Sequence, residues 1–184
     1  IKVYELTESC THIMEKDKAS IDDMYNDLLN LGRIFGVEEK ANSLVDGYRL
    51  ELSKETKNLK SENPLRVFVY DSGEDAPFTA GLYAMPTALI EAAGGTNIMD
   101  DFKKSWGTVT WEEVIDRNPE VIVIVNYGNV TAVQKREFMM SNPAFADLDA
   151  VKNDRFVTLE YVEATPGPRN INAVKTLLKA FWGS

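Results

Sequence analysis

The sequence is poor in the residues that most metal sites and catalytic centres require, with one cysteine (Cys10) and one histidine (His12) among 184 residues. A single cysteine excludes an intrachain disulfide framework and a cysteine-based metal site. Metal-dependent hydrolysis and catalytic triads are also not expected here, because the sequence has neither a second histidine nor a cysteine cluster. No glycine-rich phosphate-binding motif or nucleophile-elbow motif follows a candidate strand. We therefore expect a protein that is not an enzyme and has no resident cofactor or metal; carboxylate catalysis through Asp71 or Glu74 stays open as an alternative.

Long apolar runs and basic clusters are also missing. No apolar stretch approaches the roughly 20 residues that cross a bilayer. The net charge of −9 opposes binding to nucleic acid phosphates. The chain is long enough for one main core. It starts without Met and without a signal segment, so we expect it to be cut from something longer.

The N-terminal third is predicted to contain a short strand over residues 1–6 and two helices. Ser20 is a good N-cap, apolar residues then recur at helical spacing, and Gly36 ends the first helix. The second helix is predicted over 38–60. Its last third is polar on all sides, which is typical of a helix that bridges two lobes.

From residue 63 onward, strands are predicted to alternate with helices. The segment 121–125 is apolar at every position, which indicates a strand covered on both faces, as in a parallel sheet between helix layers. The sequence thus predicts an α/β fold, a doubly wound and mostly parallel sheet flanked by helices. The predicted strands are 66–70, 97–99, 121–125 and 155–160, and the predicted helices are 86–93, 111–117, 131–140 (capped by Asn129) and 171–181 (capped by Asn170).

Candidate ligand-binding residues follow the strands, because ligands of open parallel sheets bind outside the carboxyl ends of the strands. Tyr70 and Asp71 follow the first strand, Tyr127 the third and Tyr161 the last, while Trp106 lies in a preceding loop. An aromatic rim suits a large, flat or conjugated ligand. The alternative is that strand-end tyrosines are simply boundary residues with one polar end.

Two charged residues are further candidates. Arg169 stands beside the predicted start of the last helix, where free N–H groups and the arginine could hold an anionic group; the alternative is a proline-stiffened turn whose arginine pairs with an acid. Thr110 and Glu113 have capping-box spacing. Glu112 is not needed for that cap, so it is free to point outward, and its alternative role is to complement the helix dipole.

Four segments together resemble a known family, and they stand in its order over about residues 64–182. The family is the metal-chelate class of ABC substrate-binding proteins, which carries ferric siderophores, haem or cobalamin. The matching segments are AAGGTNI (92–98), WGTVTWE (106–112), NPEVIVI (118–124) and TPGPRN (165–170).

The resemblance implies a bilobal protein that clamps its ligand between lobes joined by one long helix. Residues 1–36 would be a remnant of the N-terminal lobe, 37–62 the inter-lobe helix and 63–184 the C-terminal ligand-binding lobe. Arg169 and Tyr161 match cleft-facing positions of the family, and Glu112 matches an acid that docks against permease arginines. Most of a first lobe is missing, so half of the cleft is absent from this chain.

The expected function is therefore capture of a metal chelate outside the cytoplasm and its delivery to an ABC permease. A ferric siderophore is favoured, and haem or a corrinoid stays open. The expected location is the bacterial cell surface, as a lipoprotein, or the periplasm, with membrane contact only through the permease or a lipid anchor outside this chain. A pure interaction module is the remaining alternative.

Overall fold

The computed structural model describes residues 3–10, 12, 15–57, 59 and 63–183. Its helices are Ile21–Phe35 (α1), Glu38–Thr56 (α2), Met85–Ala92 (α3), Trp111–Arg117 (α4), Ala132–Ser141 (α5), Asp149–Lys152 (α6), Tyr161–Ala164 (α7) and Asn170–Trp182 (α8). Its strands are Leu65–Tyr70 (β1), Phe78–Ala80 (β2), Gly95–Asn97 (β3), Trp106–Thr108 (β4), Val121–Asn126 (β5) and Phe156–Glu160 (β6). Short 3₁₀ turns occupy Thr7–Ser9 and Pro143–Phe145.

The main sheet of the described residues has four strands in the order β3-β1-β5-β6, and all of its pairs are parallel. The chain runs from β1 outward to β3 and then crosses back to β5 on the other side of β1. That reversal of direction is the switch point at which open parallel sheets form a crevice. The predicted doubly wound α/β class is confirmed.

Both faces of the sheet are covered, which explains why the central strands are apolar throughout. Successive side chains of a strand point to opposite faces. Val67 and Val69 accordingly pack with α1, α2, α3 and α8, whereas Phe68 and Tyr70 pack in a second core with α4, α5 and α6. The β5 residues alternate between the two cores in the same way.

A small antiparallel pair of strands, β2 and β4, was not predicted. Each strand has only three residues, which is too short for a period-two pattern to be recognised. Asp71 donates its backbone N–H to the Phe78 carbonyl at 3.1 Å, so the pair begins directly beyond β1. It therefore lies beside the switch point of the main sheet.

Several predicted boundaries were wrong. Residues 3–6 are not a strand, because no described strand pairs with them; residues 1 and 2 lie outside the described part. The α2 helix ends at Thr56 rather than 60, where its sequence is polar on all sides. The helix still packs on α8, where Lys175 pairs with Glu51.

The second strand of the main sheet is Gly95–Asn97 rather than 97–99. Gly94 has φ +81°, a left-handed conformation that lets the chain turn from α3 directly into the strand. The buried Asn97 amide then donates to the Ala80 carbonyl at 2.9 Å and to Thr87 Oγ1 at 2.8 Å. This side chain ends the strand and ties it to β2 and α3.

The predicted N-cap of α5 was also wrong. Thr131, not Asn129, is the cap: its Oγ1 accepts from the Gln134 N–H at 3.3 Å. In return, the Thr131 N–H donates to Gln134 Oε1 at 2.9 Å. This reciprocal capping box satisfies N–H groups at the helix start that otherwise lack partners.

Candidate functional site

A pocket of about 280 Å³ lies at the carboxyl ends of β1, β5 and β6. It occupies the switch point of the sheet, where the ligand site was expected. Four of the predicted ligand-binding residues line it: Asp71, Trp106, Tyr127 and Tyr161. The remaining lining residues are Phe78, Val125, Ala164 and Thr165.

Stacked aromatic side chains form the walls of this pocket. The rings of Tyr127 and Tyr161 lie 4.5 Å apart at an interplanar angle of 25°. Phe78 and Trp106 stack at 6.0 Å and 13°. Tyr127 is 53% exposed and Tyr161 46% exposed, so part of each side chain is accessible to a ligand. Such walls offer broad apolar contact with hydroxyl groups at the margin.

The tyrosine pair is held by the ends of two neighbouring strands. Asn126, the last residue of β5, donates from Nδ2 to both carboxylate oxygens of Glu160, the last residue of β6, at 3.0 and 3.1 Å. Tyr127 and Tyr161 are the next residues along each strand. Gly128 has φ +79°, which lets the chain turn away after Tyr127. Local strand pairing thus brings two residues that are 34 positions apart into contact.

The pocket lining includes a buried carboxylate, Asp71, which is 8% exposed. Ser72 Oγ donates to Asp71 Oδ2 at 2.8 Å. Close by, the buried Lys135 donates from Nζ to the carbonyls of Val125 at 2.7 Å and Tyr127 at 3.0 Å. Burial lowers the pKa of Lys135, and the charge of Asp71 opposes that change.

Tyr70 does not line the pocket, contrary to the expected rim of three strand-end tyrosines. Its ring is 2% exposed and packs against Trp111 at 5.4 Å and Phe138 at 6.3 Å. Burial, reinforced by the charges of Glu74 and Asp71, raises the pKa of Tyr70 to about 12. The residue faces the core because it belongs to the same side of β1 as Phe68.

Arg169 is exposed and lies outside the pocket lining. The expected cap at Asn170 was wrong, since Asn170 is the first residue of α8 and is fully buried. Its Nδ2 donates to the Glu163 and Thr165 carbonyls at 2.9 Å each, and its Oδ1 accepts from the Gly167 N–H at 2.8 Å. Asn170 therefore holds the loop that carries Thr165 against the pocket.

The α4 helix begins as predicted. Thr110 and Glu113 form a capping box, with the Thr110 N–H donating to Glu113 Oε2 at 3.1 Å. Glu112 is exposed, and within the described residues its carboxylate has no hydrogen bond or ion pair. The described residues contain no group of three or more His, Cys, Asp or Glu side chains that could hold a metal ion.

Sequence reasoning missed Phe78 and Lys135. Phe78 could have been suspected from its place a few residues beyond the Asp71 loop, but its stacking partner Trp106 is brought to it only by the β2–β4 pair. Lys135 carries no signal in the sequence, because lysines on helices are usually solvated. Its burial depends on the strand ends beneath which it lies.

The model of the periplasmic binding protein family matches residues 1–163. This chain belongs to that family. Among curated relatives, it is 24% identical over 94% of its length to an uncharacterized ABC transporter substrate-binding lipoprotein, YvrC, of Bacillus subtilis. It is 27% identical, over 61% of its length, to a vitamin B12-binding protein of Yersinia pestis.

Solved structures agree with this membership. A periplasmic binding protein from Veillonella parvula is 35% identical with a TM-score of 0.83, and the match covers 90% of this chain and 58% of that one. A possible iron-binding periplasmic protein from Staphylococcus epidermidis is 27% identical with a TM-score of 0.77, covering 92% and 66%. The names of these relatives confirm the predicted resemblance to the metal-chelate class of ABC substrate-binding proteins.

The chain spans 54% of YvrC and 40% of the vitamin B12-binding protein. It therefore corresponds to about half the length of the curated relatives that it matches. In the described residues, no helix combines the length and apolarity required to cross a bilayer.

Proposed function

We propose that this chain is the ligand-binding half of an extracytoplasmic substrate-binding protein that captures a metal chelate for an ABC importer. The observation that carries this proposal is the pocket at the switch point, walled by the Tyr127–Tyr161 and Phe78–Trp106 stacks. Aromatic faces provide contact area for the extended carbon surface of a chelate. A ferric siderophore is the favoured ligand, followed by haem or a corrinoid.

The same proposal covers the organisation of the chain. Residues 1–36 are a remnant of a first lobe, 37–62 join the lobes, and 63–184 form the C-terminal lobe, with the ligand held between lobes. An open pocket walled on one side suits this arrangement, since closure by a second lobe would remove water from both faces of the ligand. Relatives named as a lipoprotein and as periplasmic proteins support a location outside the cytoplasm.

Binding is tested on the complete protein that carries this chain. Intrinsic tryptophan fluorescence is followed while a ferric trihydroxamate, a ferric tricatecholate, haem and cyanocobalamin are added in turn. We expect saturable quenching by at least one chelate, through Trp106 in the pocket wall. The added chelate is then recovered and shown to be chemically unchanged, as binding without turnover requires.

Two variants decide whether the pocket is the site. Tyr127→Ala removes one ring of a stacked pair, and we expect it to weaken binding at least tenfold, or about 1.4 kcal/mol. Phe35→Ala is the control, because Phe35 is a 73% exposed aromatic residue outside the pocket. The proposal is wrong if no chelate gives saturable quenching, or if both variants weaken binding equally.

A further inference from the structure

Lys135 is a buried lysine that lies directly beneath the pocket. Only 2% of its surface is exposed, although lysines are rarely buried without a partner. Its Nζ lies 2.7 Å from the Val125 carbonyl oxygen and 3.0 Å from that of Tyr127. Both of those residues line the pocket.

These carbonyls face a gap in the sheet. Ile122 donates its N–H to the Arg155 carbonyl on the β6 side, and the polar groups of a strand alternate between its two neighbours. The carbonyls of Val125 and Tyr127 therefore face the β1 side. Pairing of β1 with β5 ends at Tyr70, so no further β1 residue reaches them. The Lys135 ammonium group takes the place of the missing strand donors.

The positive charge of the Lys135 ammonium group also interacts with the negative charge of Asp71. Among the described residues that line the pocket, Asp71 is the only charged one, and it is 8% exposed. The attraction between Asp71 and Lys135 raises the Lys135 pKa against the effect of burial. The two side chains make no direct ion pair in the described part of the chain. A buried carboxylate without a nearby positive charge would be strongly unfavourable.

We propose that Lys135 is a positioning residue that sets the charge specificity of the pocket. It fixes the backbone that presents Tyr127, and it places a buried positive charge behind a lining whose one charged residue, among those described, is the buried Asp71, so the two charges offset each other at this end of the pocket. The chelate face that enters this pocket is therefore uncharged. Polyanionic chelates are disfavoured there, because the positive charge is already engaged. This inference rests on the proposed function and names the charge class of its ligand.

The test compares two ligands that differ by one charge. The complete protein is titrated with a neutral ferric trihydroxamate and with the same chelate carrying an added ammonium group, and a ferric tricatecholate serves as the anionic probe. We expect the wild type to bind the neutral chelate at least tenfold more tightly than the tricatecholate. In Lys135→Met, the uncompensated Asp71 should raise the ratio of cationic to neutral affinity at least fivefold.

Further variants separate charge from structure. Lys135→Gln keeps hydrogen-bond donors but loses the charge, so it should shift the ratio of cationic to neutral affinity in the same direction. This variant replaces Lys135→Met in the test if the methionine variant does not fold. Adding Asp71→Asn to Lys135→Met should return the ratio toward that of the wild type. Lys152→Met is the control, because Lys152 is a surface lysine paired with Asp147 at 3.0 Å and lies outside the pocket lining.

A purely structural role for Lys135 would weaken the binding of both trihydroxamates equally. An unchanged ratio in the methionine and glutamine variants would thus overturn this inference while leaving the proposed function intact. A wild-type preference for the tricatecholate would also overturn it. Failure of the wild type to bind any of the three probes, haem or cyanocobalamin would instead overturn the proposed function, and the inference with it.

Discussion

At the scale of single residues, tyrosines that end neighbouring strands have very different surroundings. Tyr70 is the last residue of β1 and turns into the core, whereas Tyr127 follows the last residue of β5 and is 53% exposed. One step along a strand moves a side chain to the opposite face. The difference between a core residue and a pocket wall therefore depends on the exact residue at which pairing stops.

The buried Tyr70 hydroxyl should make stability depend on pH in the alkaline range. The pKa of a tyrosine in the unfolded chain is about 10, and burial raises that of Tyr70 to about 12. Between these values the unfolded state binds fewer protons than the folded state, so stability falls as pH rises. We expect a loss of about 2 to 3 kcal/mol from this group between about pH 10 and 12.

The measurement is urea unfolding of the wild type and of Tyr70→Phe across that pH range. The phenylalanine variant lacks the titrating group. Its free energy of unfolding should therefore fall by about 2 to 3 kcal/mol less than that of the wild type between about pH 10 and 12. If the free energies of unfolding of the two proteins fall in parallel as pH rises, Tyr70 does not hold its proton more tightly in the folded state than in the unfolded chain.

At the scale of elements, the short helices around the sheet are stabilised by capping residues at their N-termini. The α4 helix has 7 residues and α5 has 10, lengths at which isolated helices are marginal. Each begins with a reciprocal capping box, Thr110 with Glu113 and Thr131 with Gln134. The α5 cap is relevant to the site, since that helix carries Lys135 beneath the pocket.

We expect Thr131→Ala to lower the free energy of unfolding by about 1 kcal/mol, because it removes the oxygen that accepts from the Gln134 N–H. Asn129→Ala should change it by less than about 0.5 kcal/mol, since Asn129 is exposed and does not cap the helix. Chemical denaturation of both variants checks this. A larger loss from Asn129→Ala than from Thr131→Ala would contradict the assigned cap.

At the scale of the whole molecule, the exposed acid Glu112 lies outside the pocket lining. It stands near the start of α4. From the resemblance to ABC substrate-binding proteins, we propose that Glu112 docks against the permease. A docking acid must be accessible and free of internal partners, and within the described residues Glu112 meets both conditions.

Glu112→Ala in the complete protein should leave chelate affinity unchanged and reduce chelate uptake by cells that express the transporter. Asp116→Ala is the matched control, because Asp116 is an exposed acid on the same helix. Fluorescence titration and an uptake assay with radioactive metal measure the two effects. Loss of affinity in Glu112→Ala, or equal loss of uptake in the Asp116 variant, would contradict the docking role.

Much of the architecture was determined locally and could be predicted from the sequence. The α1 helix begins after Ser20 and stops at Gly36 as predicted, because its periodicity and its end residues act within a few positions. The uninterrupted apolar segment in β5 required cover on both faces, so the parallel sheet and the position of its crevice followed. The placement of Tyr127, Tyr161 and Asp71 at that crevice followed in turn.

Only the tertiary structure decided which of the candidate residues share one surface. Tyr70 turns inward, Arg169 lies outside the pocket, and Phe78 reaches Trp106 through a strand pair too short to be recognised. The burial of Lys135 likewise depends on carbonyls exposed where β1 leaves β5. Periodicity reports which face of its own element a residue occupies. Which distant groups complete a site is set by how the elements pack, and that information is spread over the whole chain.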